Sequence, residues 1–232
     1  MTVIHDDEFG DITVRRNKLA KNVTIRLGTD GKFIISAPKY APVFYLKSIV
    51  SGSRALFKDL ASHNLADMPY DNGQQVGKEH SIAIIRTEMI DKPTVSITKN
   101  VIIVKLRPYD DQFHRDIQEQ IREHIITALR REAKRYLPGR LAQLAELGDF
   151  TYDRVRFSHA AGRWGSCSTR GTISLNIALM TLPDTLIDYV LVHELCHTQR
   201  MNHSTAFWEL VGCYDPHYRL HKRQIKRFTP NV

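Results

Sequence analysis

The hydrophobic pattern of this chain changes period once, near residue 108. Before that point, apolar and β-branched residues sit in short runs between turns, Asp11 to Arg16, Asn22 to Leu27 and Lys32 to Ala37, which predicts strands. Thr29-Asp30-Gly31, between the last two runs, is a hairpin signal. Pro38 and Pro42 then punctuate the chain, and Phe44, Leu46, Ile49, Val50, Leu56, Phe57 and Leu60 give Val43 to Leu60 a helical pattern. Strand character returns at Ser81 to Thr87, Thr94 to Thr98 and Val101 to Leu106, the last two joined by a tight turn at Lys99-Asn100.

From Asp110 onward Phe113, Ile117, Ile121, Ile125, Leu129 and Tyr136 recur on one helical face, and Pro138-Gly139 is expected to end that helix. A shorter helix to Leu147 should follow, then strands around Tyr152 to Ser158 and Thr172 to Asn176. Pro183 occupies a first-turn position with Asp184 behind it, so a further helix should run through His197. The expected fold is α+β, with a β-rich N-terminal region carrying one helix over residues 1–108 and a catalytic domain over 109–232. No sequence repeat and no low-complexity linker is visible.

Composition narrows the setting. The chain has 232 residues, enough to bury a core without staples, and three cysteines, an odd number without paired spacing. A reducing, cytoplasmic location is the expectation. No segment approaches the roughly 20 apolar residues of a membrane span, so no membrane association is expected. The net charge of +8 fits nucleic acid, an acidic substrate or plain solubility, and composition does not choose among them.

The chemistry concentrates in His193-Glu194-Leu195-Cys196-His197, an H-E-x-x-H pattern inside an apolar helical stretch. Residues four apart on a helix lie about 40° apart around the axis and about 6 Å along it, so both imidazoles can reach one ion. Glu194 flanks that position, where it can take a proton from a metal-bound water as general base. His203 stands six residues past His197, the spacing of the longer zinc-protease signature, although Arg200 holds the place of that signature's glycine. Asn202 is the expected helix terminator and Ser204 the cap of a following helix. Zinc, one ion per chain, suits two neutral imidazoles and a third protein ligand, which leave one tetrahedral position for water.

These motifs resemble the YgjP-like metal-dependent hydrolases, a family related to SprT-like and other minimal zinc peptidases. The resemblance is carried by RWGSCS at 163–168, ISLN at 173–176, VLVHELCH at 190–197 and NHSTAFW at 202–208, with weaker matches at Arg15-Arg16 and at 30–42. It implies a compact zincin-like metallopeptidase core with the metal on His193, His197 and His203, preceded by a β-rich region.

Around that centre, Trp164 is read as a cleft wall, Gly165 as a point of close backbone approach and Arg163 as an oxyanion stabiliser. Ile173 to Asn176 is read as an edge strand for an extended peptide, which makes Asn176 a candidate substrate contact. Tyr214 and Tyr218 are candidate phenol donors, with packing as the alternative role. A Cys167 nucleophile is disfavoured because the flanking residues of a cysteine-protease segment are missing, and His217 and His221 are read as solvated. The leading function is hydrolysis of a peptide or protein. The rivals are a nucleotide phosphohydrolase or pyrophosphatase on the same site and a SprT-like nucleic-acid-associated protein.

Overall fold

The structure is a computed structural model that describes residues 2–17, 20, 22–27, 33–57 and 69–231. The chain divides into two compact units, Met1–Met68 and Pro69–Val232. The boundary expected at 108 falls inside the second unit, because the strands of residues 75–106 pack on the long helix that follows them.

The first unit contains β1 (Thr2–Asp6), β2 (Gly10–Asn17), β3 (Thr24–Leu27), β4 (Phe33–Pro38) and α1 (Val43–Gly52). Strand order is β1-β2-β4-β3, with β2 and β4 parallel and the outer pairs antiparallel. The alternation is strict in β4, where Phe33, Ile35 and Ala37 are buried against Ile12, Val14 and Leu46. β1 was not expected from the pattern. It pairs with β2 through a reversal at Gly10, whose φ of 67° suits a residue without Cβ. The Thr29-Asp30-Gly31 turn lies outside the described residues, as do 58–60 of the expected first helix, which is interrupted by a turn at Ser53.

The second unit opens with β5 (Gln75–Val76), β6 (His80–Arg86), β7 (Thr94–Thr98) and β8 (Val101–Leu106), ordered β5-β6-β8-β7. Here too the central pair is parallel and the outer pairs are antiparallel, so both units repeat one topology, four strands and then a helix, that the sequence does not betray. The two-residue turn at Lys99-Asn100 is present, with Lys99 left-handed at φ 52°.

Helix α2 (Arg115–Leu147) runs straight through Pro138, against the expectation that it stops there. Proline removes one backbone bond and crowds the preceding turn, at a cost of about 3 kcal/mol. Leu137 and Leu141, on either side, are fully buried, and such side chains contribute about 1.5–3 kcal/mol each, enough to offset the break. Phe113 and Tyr136 are exposed, and the buried face is instead completed by Ala133, Leu137, Leu141 and Ala145.

Beyond α2 come β9 (Arg154–Ser158), β10 (Gly165–Cys167) and β11 (Thr172–Asn176), in the order β10-β11-β9. β11 is therefore the centre of its sheet, antiparallel to β10 and parallel to β9. The edge strand expected at Ile173 to Asn176 is instead β10. A 3₁₀ turn (Ile177–Thr181) leads to α3 (Asp184–Gln199), then α4 (Thr205–Tyr214) and α5 (Tyr218–Gln224). α3 is buried nearly all round, through Leu186, Ile187, Val190, Leu191, Leu195 and Cys196, as a central helix must be. Arg140 of α2 grips Asp188 of α3 through two hydrogen bonds of 2.8 and 2.7 Å. Among the described residues, no helix is long and apolar enough to cross a membrane.

Candidate metal centre

His193 and His197 leave the last turns of α3 on one face, as their spacing requires. Their Nε2 atoms are 3.2 Å apart, and His203 Nε2 lies 3.1 Å from His193 Nε2. The third imidazole arrives because α3 stops at Gln199 and Arg200 turns extended, at φ −136° and ψ 98°. An extended residue needs no glycine, so the arginine in the glycine position is harmless and Asn202 is not the terminator. Ser204 precedes α4 as expected, but its side chain makes no capping bond.

His197 and His203 are braced, whereas the buried Nδ1 of His193 has no hydrogen-bond partner among the described residues. His197 Nδ1 is 3.0 Å from the Arg200 carbonyl, which fixes Nδ1–H as donor and leaves the Nε2 lone pair facing the other two rings. Phe207 of α4 stacks on His197 at 4.5 Å, and Trp208 stacks on His203 at 5.5 Å. Burial, followed by the neighbouring His197, His203 and Lys222, pushes His193 down to about 3; burial also lowers His197. Three converging ring nitrogens, two of them on imidazoles pushed towards the neutral form, are a donor set suited to one divalent cation.

Glu194 is 5% exposed, and its Oε2 has no hydrogen-bond partner among the described residues. Burial pushes its carboxyl up to about 8, with Arg163 pulling the other way. β10 lies directly against it: a Cβ built on Gly165 would sit 2.7 Å from Glu194 Oε1 and 2.8 Å from its Cγ. The close approach read at Gly165 is thus an approach to the carboxylate itself.

The remaining candidates separate. Trp164 is half-buried on the core beside β10, and Arg163 is exposed but close enough to act on Glu194. Asn176 is fully buried and its amide is occupied: Nδ2 donates to the carbonyls of Ala160 and Arg163 at 3.0 Å, and Oδ1 accepts from the Ala178 amide. Through these bonds it shapes the loop before β10. Tyr214 donates to the Gly148 carbonyl and packs on Phe150, so its phenol is engaged at the end of α2. Tyr218 stacks on Trp208 at 5.5 Å and lines a groove that opens beside His203. Burial and the Glu194 charge push the Cys167 thiol up to about 11, which leaves no thiolate for nucleophilic chemistry.

Two features escaped the sequence reading. Tyr189, one turn before His193, packs 6.1 Å from it and 6.2 Å from His221, and burial pushes its phenol up to about 12, with Asp215 and Glu194 adding to the effect. His221 is not solvated: its Nδ1 meets Oδ2 of the buried Asp215 at 2.8 Å. The i, i+4 spacing of Tyr189 and His193 was a visible signal, whereas Asp215 and His221 are separated by a helix break.

No curated protein matches the sequence. Among solved structures, the metallopeptidase zymogen of Pyrococcus abyssi abylysin is similar to this chain, at 23% identity over 39% of this chain and 93% of that one, with a TM-score of 0.36. The sequence model described as "YgjP-like, metallopeptidase domain" matches residues 21–228, which includes every residue of the histidine cluster and most of both units, and the chain therefore belongs to the YgjP-like family.

Proposed function

We propose that this protein is a zinc-dependent metallopeptidase with a zincin-like core, hydrolysing peptide bonds through a water that Glu194 deprotonates. The observation that carries the reading is the convergence of three Nε2 atoms beside a buried carboxylate oxygen that lacks a partner. His193, His197 and His203 would hold the ion, which when bound supplies a Lewis acid that polarises a carbonyl and acidifies a water.

The protein's own groups supply the rest. Glu194 Oε2 accepts the proton of the attacking water and passes it to the departing amine, a transfer that its unpartnered position leaves open. Gly165 holds that carboxylate from behind. Among the described residues β10 pairs with β11 alone and packs on α3, and an extended peptide can add as a further strand on its other side. Arg163 offers a cation near the carboxylate for charge that develops on the substrate. The three cysteines are unpaired, and cytoplasmic residence is part of the proposal.

The test is metal analysis of purified protein after zinc reconstitution, then a panel of casein, peptides and nucleotides run against Glu194→Gln. One ion per chain, with peptide cleavage lost in the variant by about 10²–10⁴-fold, supports the reading. Absence of stoichiometric metal sinks it, and cleavage confined to nucleotides transfers the site to phosphoanhydride chemistry.

A further inference from the structure

The groove beside His203 measures about 590 Å³ and is floored by Trp208 and Tyr218. Arg219, Lys222, Arg223 and Lys226 line it together. Among the described residues none of these four meets a carboxylate: Arg219 Nε donates to the Tyr218 hydroxyl, and Lys222 Nζ stands 3.7 Å above the Trp208 ring. Trp208 also stacks on His203, and Lys222 is near enough to His193 to act on it. The cationic lining therefore begins at the metal centre.

We propose that this groove is the subsite for acidic residues of the peptide substrate on one side of the scissile bond, an inference that rests on the peptidase reading above. Arg219, Lys222 and Arg223 follow i, i+3, i+4 on one face of α5, and Lys226 continues the line in the 3₁₀ turn Ile225–Arg227 that follows it; seven residues at 1.5–2.0 Å each span about 10–14 Å. An extended peptide covers that distance with about three or four residues at 3.3–3.4 Å each. Four separate cations strung along such a length match carboxylates on alternate substrate positions, since successive side chains of an extended chain point to opposite faces. A single phosphate would call for convergent donors, and the aromatic floor suits the aliphatic stems of Asp and Glu side chains. Lys222 is already held over the Trp208 face by cation–π attraction, so little further ordering is needed when a carboxylate arrives.

The experiment uses zinc-loaded, full-length Glu194→Gln and calorimetry. The ligands are a hexapeptide carrying three consecutive Glu, the same peptide with Gln in their place, and a thymidine oligonucleotide of equal charge. The first and third Glu face the groove, and two exposed ion pairs of ordinary strength multiply to about fivefold, so the Glu peptide should bind about fivefold tighter than the Gln peptide. The gap should close at high salt and in a protein that also carries Lys222→Gln and Arg223→Gln. Equal binding of the two peptides overturns the proposal, as does an oligonucleotide that binds more tightly than the Glu peptide and loses its advantage in the same variant. Cleavage by the wild-type protein separates the two levels. If both peptides are cut at one rate and bound equally, the groove assignment fails and the peptidase reading stands. If Glu-selective binding is found but no peptide is cut, the peptidase reading fails and takes the substrate assignment with it.

Discussion

Replacing Gly165 with alanine sets one methyl group into the space that the Glu194 carboxylate occupies. The new Cβ would lie 2.7 Å from Oε1, 2.8 Å from Cγ and 3.0 Å from Cδ. Ordinary non-bonded contact is about 3.5 Å, so something must move by about 0.8 Å. If the carboxylate gives way, the general base leaves its place, and a misplacement of this order costs about 10² in rate. If β10 gives way instead, overpacking costs about 1–3 kcal/mol, visible as a drop of several degrees in Tm. The three imidazoles come from other positions, so the metal should remain at one ion per chain. The assay is kcat/KM on the best peptide substrate, with metal content and Tm measured on the same preparation. Full activity at unchanged Tm would refute both the contact and the role assigned to Glu194.

His203→Ala should weaken zinc binding by on the order of a hundredfold, at or beyond the upper end of what losing an outer-shell partner costs, while His217→Ala leaves it unchanged; equal zinc retention in the two variants moves the third ligand elsewhere. The metal-free protein should lose stability as pH rises from about 6.5 to about 8. Folded Glu194 keeps its proton up to about 8 whereas the unfolded chain releases it above 4.5, so the folded state holds the extra proton across that range. His193, held near 3 against 6.5 unfolded, acts in the opposite sense below 6.5 and cancels the effect there. The net loss is about 1.4 kcal/mol per pH unit, read as a falling Tm that Glu194→Gln should flatten; a slope that survives in the variant contradicts the assignment. Glu132→Ala should cost about 3 kcal/mol, because this buried carboxylate accepts from the Lys78 and Glu79 amides and pairs with buried His80; chemical denaturation within 0.5 kcal/mol of wild type would show that its partners find other bonds.

What the sequence made legible was local. His193 and His197 are placed by helix periodicity alone, and His203 needed only a short stretch of chain after them. The Lys99-Asn100 turn was likewise a matter of adjacent residues. Contacts between distant segments were not legible in the same way. Gly165 could be read as a point of close approach, but not as the backing of Glu194, 29 positions away. The order β10-β11-β9 depends on a parallel pairing across 154–176, and so the open edge was assigned to the wrong strand. Pro138 has a real local cost that only the burial of Leu137 and Leu141 outweighs. The Asp215–His221 pair was hidden because its residues belong to different helical segments. The shared topology of the two four-stranded sheets left no trace in side-chain pattern, since strand order is a property of pairing and not of composition.

Helix α2 touches both the β5–β8 sheet and α3, which carries His193 and His197. Dissecting the protein at residue 108 would strip away Ile102, Val104 and Leu106 and leave Ile117, Ile121 and Ile125 facing water. A cut near residue 69 would instead follow the boundary between the two units and leave the strands of 75–106 on the helix they pack against.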